Sequence, residues 1–335
     1  MMRIWRRWKL AGTVALLLGL ASAGCGRKPQ RQAGATGAGR AEAPKKTLIV
    51  GFAQVGAESA WRTAETRSIK SEAKKRGITL KFADAQGRQE NEIKALRAFI
   101  AQGVDAIILA PIVETGWEPV LREAKRAGIP VVLVDRGVRV DDDSLYATLI
   151  ASDFVKEGRM AAEWLARKTG GKARIIELEG TPGAAPAIDR KKGFDQAIQA
   201  YPGMKVIASQ SGDFRRSKGK EVMEALLKAH RGEFNAVYAH NDDMALGAIQ
   251  ALQAAGLKPG TEVLVVSIDG IRDAFKAMIA GTLNATVECN PLLGPQAFDA
   301  VEKILAGAAV PKRIVVKDRL FDQSVAKKVI GTRQY

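Results

Sequence analysis

The strongest constraint on this chain is a regular alternation that begins at Thr47. Short apolar runs are separated by segments with helical periodicity. Continuous apolar runs suit strands covered on both faces, and helical spacers suit crossovers between parallel strands. Strands are predicted over 47–54, 78–82, 106–110, 130–134 and 147–150, with helices over 59–76, 88–102 and 116–127. The pattern then repeats. Helices at 153–168, 187–200, 216–229, 243–255, 271–280 and 295–305 alternate with strands at 174–178, 205–209, 236–239, 263–267, 284–287 and 314–316. Gly77, Gly103 and Gly128 each follow a predicted helix, where a left-handed residue ends the last turn. So many strands exceed one small open sheet. The predicted fold is α/β, with two doubly wound parallel-sheet lobes of five or six strands each.

The chain before Thr47 reads differently. Residues 1–9 are basic, residues 10–23 are apolar, and Ala21-Ser22-Ala23-Gly24-Cys25 supplies small residues. This is the pattern of a secretory signal over 1–24, too short for a membrane-spanning helix of roughly 20 residues. Two readings of its end stand side by side. Ala21-x-Ala23 suits ordinary signal peptidase, whereas Leu20 to Cys25 resembles a bacterial lipoprotein box with Cys25 as the lipidated residue. Ser22 departs from that pattern, which usually has Leu there. Residues 25–46 carry Gly, Ala, Arg, Lys and Gln without apolar periodicity and read as a flexible tether.

Charge matters here because the chain carries a formal +16. Residues 1–24 hold +4 of it and residues 25–46 a net +5, which leaves +7 for the rest. A uniformly basic face for nucleic acid is therefore not indicated. Two cysteines and two histidines are too few for a disulfide scaffold or a histidine-rich metal centre. With Cys25 in the leader region, Cys289 has no evident partner. Neither a Gly-x-Ser-x-Gly elbow nor a phosphate-cradling Gly-x-x-x-x-Gly-Lys-Ser/Thr loop occurs. No catalytic residue, metal or cofactor is predicted.

Ligands of open parallel sheets sit beyond the carboxyl ends of the strands. There the sequence places Glu58, Ser59, Trp61 and Arg62, then Asp135 and Arg136, then Asp189 and Arg190, Asp213 and Phe214, Asn241 to Asp243, and Asp269. Carboxylates accept from adjacent hydroxyls, a guanidinium donates in a fixed fork, and Asn does both. Aromatic faces cover the C–H surface of a sugar ring. Arg62, Arg136 and Arg190 are balanced by Glu58, Asp135 and Asp269, so a neutral polyhydroxy ligand fits better than an anion. Plainer roles are open for several of these residues. Asp213 and Asp243 could cap helices, Asp135-Arg136 could be a surface ion pair, and Trp61 and Phe214 could be core. His240-Asn241-Asp242-Asp243 lacks the spacing of a metal site.

These residues carry a resemblance. The stretches 50–62, 187–194, 209–219, 237–244 and 267–270 together resemble the periplasmic sugar-binding proteins of ribose-type ABC importers, in particular their galactofuranose-binding members. The resemblance runs from about Leu48 to Val316. It implies a type I periplasmic binding protein fold with a three-crossing hinge near Ile150, Cys289 and Val310. The first lobe would be 47–150 plus 290–309, and the second 151–289 plus 310–335. It implies that Glu58, Ser59, Ala60, Trp61, Arg62, Asp135, Arg136, Arg190, Phe214, Asn241 and Asp269 line a sugar cleft. Trp61 and Phe214 would sandwich the ring. At Cys289 ribose-binding relatives usually carry a Gln that touches the sugar. A thiol there removes two hydrogen bonds and argues against a strictly ribose-like ligand.

The implied function is non-enzymatic: an exported, monomeric receptor in the periplasm takes up a monosaccharide, a furanose such as galactofuranose, and hands it to an ABC permease. Two other classes use related architecture. A sugar sensor could present the ligand to a chemoreceptor or act as the sensing half of a regulator, and a sugar-processing enzyme would need an acid–base pair that the sequence does not place.

Overall fold

The computed structural model describes residues 47–335. The signal at 1–24, the tether at 25–46 and Cys25 lie outside the described residues. Five strands open the described chain: β1 (Ile49–Gln54), β2 (Thr79–Asp84), β3 (Ala106–Leu109), β4 (Val131–Val134) and β5 (Thr148–Ser152). Helices α1 (Ala60–Lys75), α2 (Gln89–Ala101) and α3 (Glu118–Arg126) connect the first four. A second series repeats the scheme with β6 (Lys172–Glu179), β7 (Gly203–Ser211), β8 (Ala236–Ala239), β9 (Leu264–Asp269) and β10 (Ala285–Glu288). Its helices are α4 (Phe154–Thr169), α5 (Ala185–Ile198), α6 (Arg216–His230), α7 (Asp242–Ala254) and α8 (Arg272–Ile279). The chain closes with α9 (Gly294–Leu305), β11 (Arg313–Val316), β12 (Leu320–Asp322) and α10 (Gln323–Val329).

The strands form two six-stranded sheets with matching order, β11-β5-β4-β3-β1-β2 and β12-β10-β9-β8-β6-β7. This is the two-lobed α/β architecture that the alternation predicts. The central strands β3, β4 and β8 are buried along their whole length, as runs such as Val131-Val-Leu-Val134 require. Gly77, Gly103 and Gly128 take φ of 68°, 62° and 70° just past their helices. Each thus fills the left-handed position that stops a helix.

Two features differ from the sequence reading. The pair β12 and α10 is not in it. β12 is three residues long and runs antiparallel to β10, so the second sheet has one reversed edge. The third crossing also lies later than Val310. β11 pairs in parallel with β5, Arg313 opposite Leu149. Residues 313–316 therefore extend the first sheet, rather than belonging to the second lobe. The chain passes between the sheets at 153, at 289–293 and again at 317–319.

The late segment completes the first core. Phe298 and Val301 of α9 pack with Val50, Phe52 and Ile69. Gly294 lets α9 approach α1 closely, because a Cβ there would lie 2.4 Å from the Ser68 carbonyl oxygen. In the second lobe, α4 and α5 touch backbone to backbone. A Cβ on Gly158 would meet the Arg190 carbonyl oxygen at 2.0 Å, and one on Gly193 the Val155 carbonyl oxygen at 1.9 Å. Phe194 stacks on Tyr238 at 4.0 Å beneath them.

Candidate functional site

Both sheets reverse their winding at corresponding points, between β1 and β3 and between β6 and β8. The loops beyond the carboxyl ends face each other across a cleft. The inner cleft is nearly closed, with about 20 Å³ of free space, and is lined by Glu58, Ser59, Trp61, Arg62, Asp135, Arg136, Pro186, Arg190, Phe214, Asn241, Asp269 and Cys289. Sites for drug-sized ligands run roughly 300–1,000 Å³, so the walls are drawn together here and must part for a ligand to enter. A wider outer cleft shares Glu58 and Arg136 and leads to the surface past Gln86, Arg215 and Lys220. The inner cavity is the better binding candidate, because its polar lining is buried.

Local rules place the first cluster. Ser59 caps α1, its Oγ accepting from the Arg62 amide at 3.1 Å. That fixes Glu58, Trp61 and Arg62 in the opening turn. Arg62 is gripped by three carboxylates: Nε donates to Glu58 at 3.1 Å, Nη1 to Glu65 at 2.5 Å and Nη2 to Asp135 at 2.6 Å. Glu58 and Glu65 flank Arg62 at helical spacing, so Glu65 was findable from the sequence, which did not single it out. Burial, only partly offset by Arg62, raises the Glu65 carboxyl to about 7. Burial works the same way on Glu58, but Arg62 and Arg136 outweigh it and hold that carboxyl below its ordinary range. Glu58 Oε2 is buried and has no hydrogen-bond partner.

Asp135 sits in the left-handed region, with φ of 60°, directly after β4. Arg136 donates to the Ile112 carbonyl at 3.0 Å and to Glu58 at 3.3 Å, while its buried Nε makes no hydrogen bond and stands 3.6 Å from Asp135 Oδ2. Its guanidinium lies over the Phe214 ring at 5.3 Å, and that of Arg62 lies over Trp61 at 4.8 Å. The Trp61 indole N–H donates to the Cys289 carbonyl at 2.6 Å, which fixes the ring against the second crossing.

The opposite wall comes from the second lobe. Asp213 and Phe214 both have positive φ, 54° and 60°, so the chain doubles back after β7. The Phe214 ring then lies flat against Gly180, where a Cβ would fall 1.9 Å from Cζ. Arg190 donates from Nε to Glu157 at 2.8 Å and from Nη1 to the His240 carbonyl at 2.7 Å. Its Nη2 stands 3.8 Å from Asp269 Oδ1, too far for a hydrogen bond. Asp269 is 3 % exposed and strained at φ 129°. Burial drives its carboxyl well above the ordinary range despite Arg190. Asn241 caps α7 through Oδ1 at 3.0 Å and donates to the Phe214 carbonyl at 3.1 Å.

Ten of the eleven cleft residues expected from the sequence thus line one cavity. Ala60 does not. It is exposed at the start of α1, and its amide donates to Asp243 Oδ2 at 2.8 Å, a bond between lobes. Asp243 is therefore an interlobe acceptor, with Asn241 taking the cap. Asp213 caps nothing either; its carboxylate accepts from Ser211 at 3.1 Å. Glu157, which holds Arg190, was not read from the sequence, since 33 residues separate the two and no periodicity links them. Cys289 lines the cavity as a buried thiol, and burial raises its pKa. Among the described residues no cluster of ligating side chains suits a metal ion.

Chemically, the cavity offers acceptors at Glu58 Oε2 and Asp269, donors at Arg136 Nε, Arg190 Nη2 and Asn241, and two aromatic walls. Its three carboxylates and three guanidiniums balance. Behind it, Glu177 accepts from Lys191 and Ser209 at 2.6 Å each and pairs with His240 at 3.1 Å. Burial opposes ionisation of Glu177, but these partners prevail and lower its carboxyl to about 2. The unfolded carboxyl titrates near 4.3. The stability this carboxylate confers is therefore present above pH 4.3 and lost as the pH falls toward 2. Acid unfolding monitored by circular dichroism should steepen in that window for the wild type and flatten for Glu177→Gln.

A model described as periplasmic binding protein domain matches residues 50–309. The chain is 55 % identical to the galactofuranose-binding protein YtfQ of Escherichia coli, over 86 % of this chain and 92 % of that one. Among solved structures it resembles the periplasmic binding component of the arabinose ABC transporter of Shewanella sp. ANA-3, bound to α- and β-L-arabinofuranose. That match has 58 % identity, a TM-score of 0.84, and covers 86 % and 96 % of the two chains. A Mycobacterium smegmatis structure in complex with β-D-fucofuranose gives 53 % identity and a TM-score of 0.84, with the same coverage.

Proposed function

We propose, on the premise that this chain belongs to the periplasmic binding protein domain family, that it is the periplasmic solute receptor of an ABC importer and takes a monosaccharide in its furanose form. It binds its ligand and does not transform it. One observation carries the reading: a small, charge-balanced cavity between two lobes, in which buried donors and acceptors retain unused hydrogen-bonding capacity. A charged ligand would upset that balance, whereas a ring of hydroxyls fills the free valences without adding charge. Similar proteins bound to arabinofuranose and fucofuranose support the ring form.

In this reading the first lobe supplies Glu58, Ser59, Trp61, Arg62, Asp135 and Arg136, and the second Arg190, Phe214, Asn241 and Asp269. Trp61 and Phe214 cover the two faces of the ring. Arg62, bonded on all three nitrogens, orients Glu58 and Asp135 more than it contacts sugar. The lobes are 47–152 with 290–316, and 153–289 with 317–335, hinged where the three crossings meet. A ligand bonded to both lobes shifts the population toward the closed form, which docks on the permease. Export through the leader, with or without a lipid on Cys25, would place the receptor there.

The test is calorimetric titration with L-arabinose, D-galactose and D-fucose, and with methyl ethers of arabinose locked as furanose or as pyranose. Binding of the free sugars and of the furanose-locked ether is expected. Silence toward all of them, or preference for the pyranose-locked ether, overturns the reading.

A further inference from the structure

The Phe214 wall rests on a residue that does not itself line the cavity. Phe214 is held flat against Gly180, and the position of Gly180 depends on His240. The Gly180 amide donates to His240 Nδ1 at 3.2 Å. An N–H cannot point at another N–H, so Nδ1 is the acceptor nitrogen of a neutral ring. The hydrogen is then on Nε2, which faces Glu177 Oε1 at 3.1 Å. Glu177 is itself anchored by Lys191 and Ser209. The imidazole is fully buried and tilted against Tyr238 at 5.1 Å, so no water competes for either nitrogen. The same residue also reaches the ligand-facing groups through its backbone: its carbonyl accepts from Arg190, and its chain neighbour is Asn241, which holds the Phe214 carbonyl.

We propose that His240, locked as the Nε2–H tautomer between Gly180 and Glu177, is a positioning residue that sets the Phe214 wall of the cleft. The ring measures the distance from β6 to β8 and delivers it to the Gly180 backbone, on which Phe214 lies. A side chain without an acceptor at the Nδ1 position frees the Gly180 amide and leaves it buried and unpaired. The loop then moves toward whatever acceptor is available, and the aromatic wall moves with it. This inference rests on the sugar-receptor reading for its binding effects, but the tautomer itself does not.

The test has three parts, all on the full chain. First, nitrogen-15 spectroscopy of the imidazoles should show Nδ1 of His240 as pyridine-like and Nε2 as protonated. His230 is the only other histidine, so His230→Asn assigns the signals. Protonation at Nδ1 overturns the proposal whether or not any sugar binds. Second, His240→Leu should weaken arabinose binding tenfold or more at temperatures well below its unfolding, while His240→Asn, which keeps an acceptor for Gly180, should recover most of the affinity. A leucine variant that binds as tightly as wild type, or an asparagine variant that binds as poorly as the leucine one, overturns it. Third, in a Phe214→Leu background the substitution His240→Leu should cost no further affinity; a loss that simply adds to that of Phe214→Leu means a general structural role and overturns it. Wild-type protein that binds none of the sugars would instead overturn the receptor reading.

Discussion

Asp269→Ala should cut sugar affinity by on the order of a hundredfold or more and at the same time leave the empty protein as stable as the wild type, or more so. The two effects share one cause. Asp269 is buried and its carboxyl accepts no side-chain hydrogen bond, its nearest cation being Arg190 Nη2 at 3.8 Å. Holding an acceptor in that state costs stability in the absence of ligand. A hydroxyl bonded to a charged group contributes about 1.5–3 kcal/mol, and one carboxylate can accept from two neighbouring hydroxyls. The alanine variant loses those bonds and leaves Arg190 with Glu157 as its only close carboxylate. Calorimetry and thermal unfolding with and without arabinose measure both quantities. Retained affinity would remove Asp269 from the cleft's binding set. Arg136→Ala, which deletes a buried donor shared between Glu58 and the cavity, should lose binding comparably.

Gly158→Ala is expected to be among the most damaging single-methyl changes in the second lobe. Its Cβ would sit 2.0 Å from the Arg190 carbonyl oxygen and 2.9 Å from the Phe194 amide. Neither atom belongs to a flexible side chain, so α4 and α5 must separate. Overpacking typically costs about 1–3 kcal/mol, and a clash with backbone belongs at or above the top of that range. A fall in the melting temperature on the order of 5 °C or more follows. The atom struck belongs to Arg190 itself, so the guanidinium moves off its bonds to Glu157 and His240, and sugar affinity should fall with stability. Gly331→Ala is the control, since nothing lies within 4 Å of its added methyl. A Gly158→Ala protein that melts with the control would mean the two helices are less closely opposed than described.

Much of this was legible from the chain alone, for definite reasons. Buried parallel strands must be apolar on both faces, so runs such as Ala106-Ile-Ile-Leu109 stand out. The sheet rule then points to the residues just beyond them, and Glu58, Asp135, Phe214, Asn241 and Asp269 all fall there. The failures are equally physical. β12 buries one residue, Phe321, and so has no pattern to detect. The run Ile314-Val-Val316 is apolar enough for either sheet, and only its pairing with β5 decides between them. Ala60 lies between cleft residues in sequence, but the first turn of α1 rotates it outward. The partners that hold Arg190 and His240 are 33 and 63 residues away, and no spacing encodes such a link.

The interleaved route of the chain also bears on the order in which the molecule can be made. The first sheet waits for β11 and its core waits for α9, so the first 152 residues cannot complete either. A nascent chain of that length leaves Val50, Phe52 and Ile69 without Phe298 and Val301 as cover. Contacts between segments this far apart in the chain, such as Ile69 with Phe298, make for slow folding, because the ends must meet before they are rewarded. Neither half can finish ahead of the other, and completion is deferred until the C-terminal segment arrives. For a polypeptide that crosses a membrane as an extended thread, such a delay keeps it threadable until it is through.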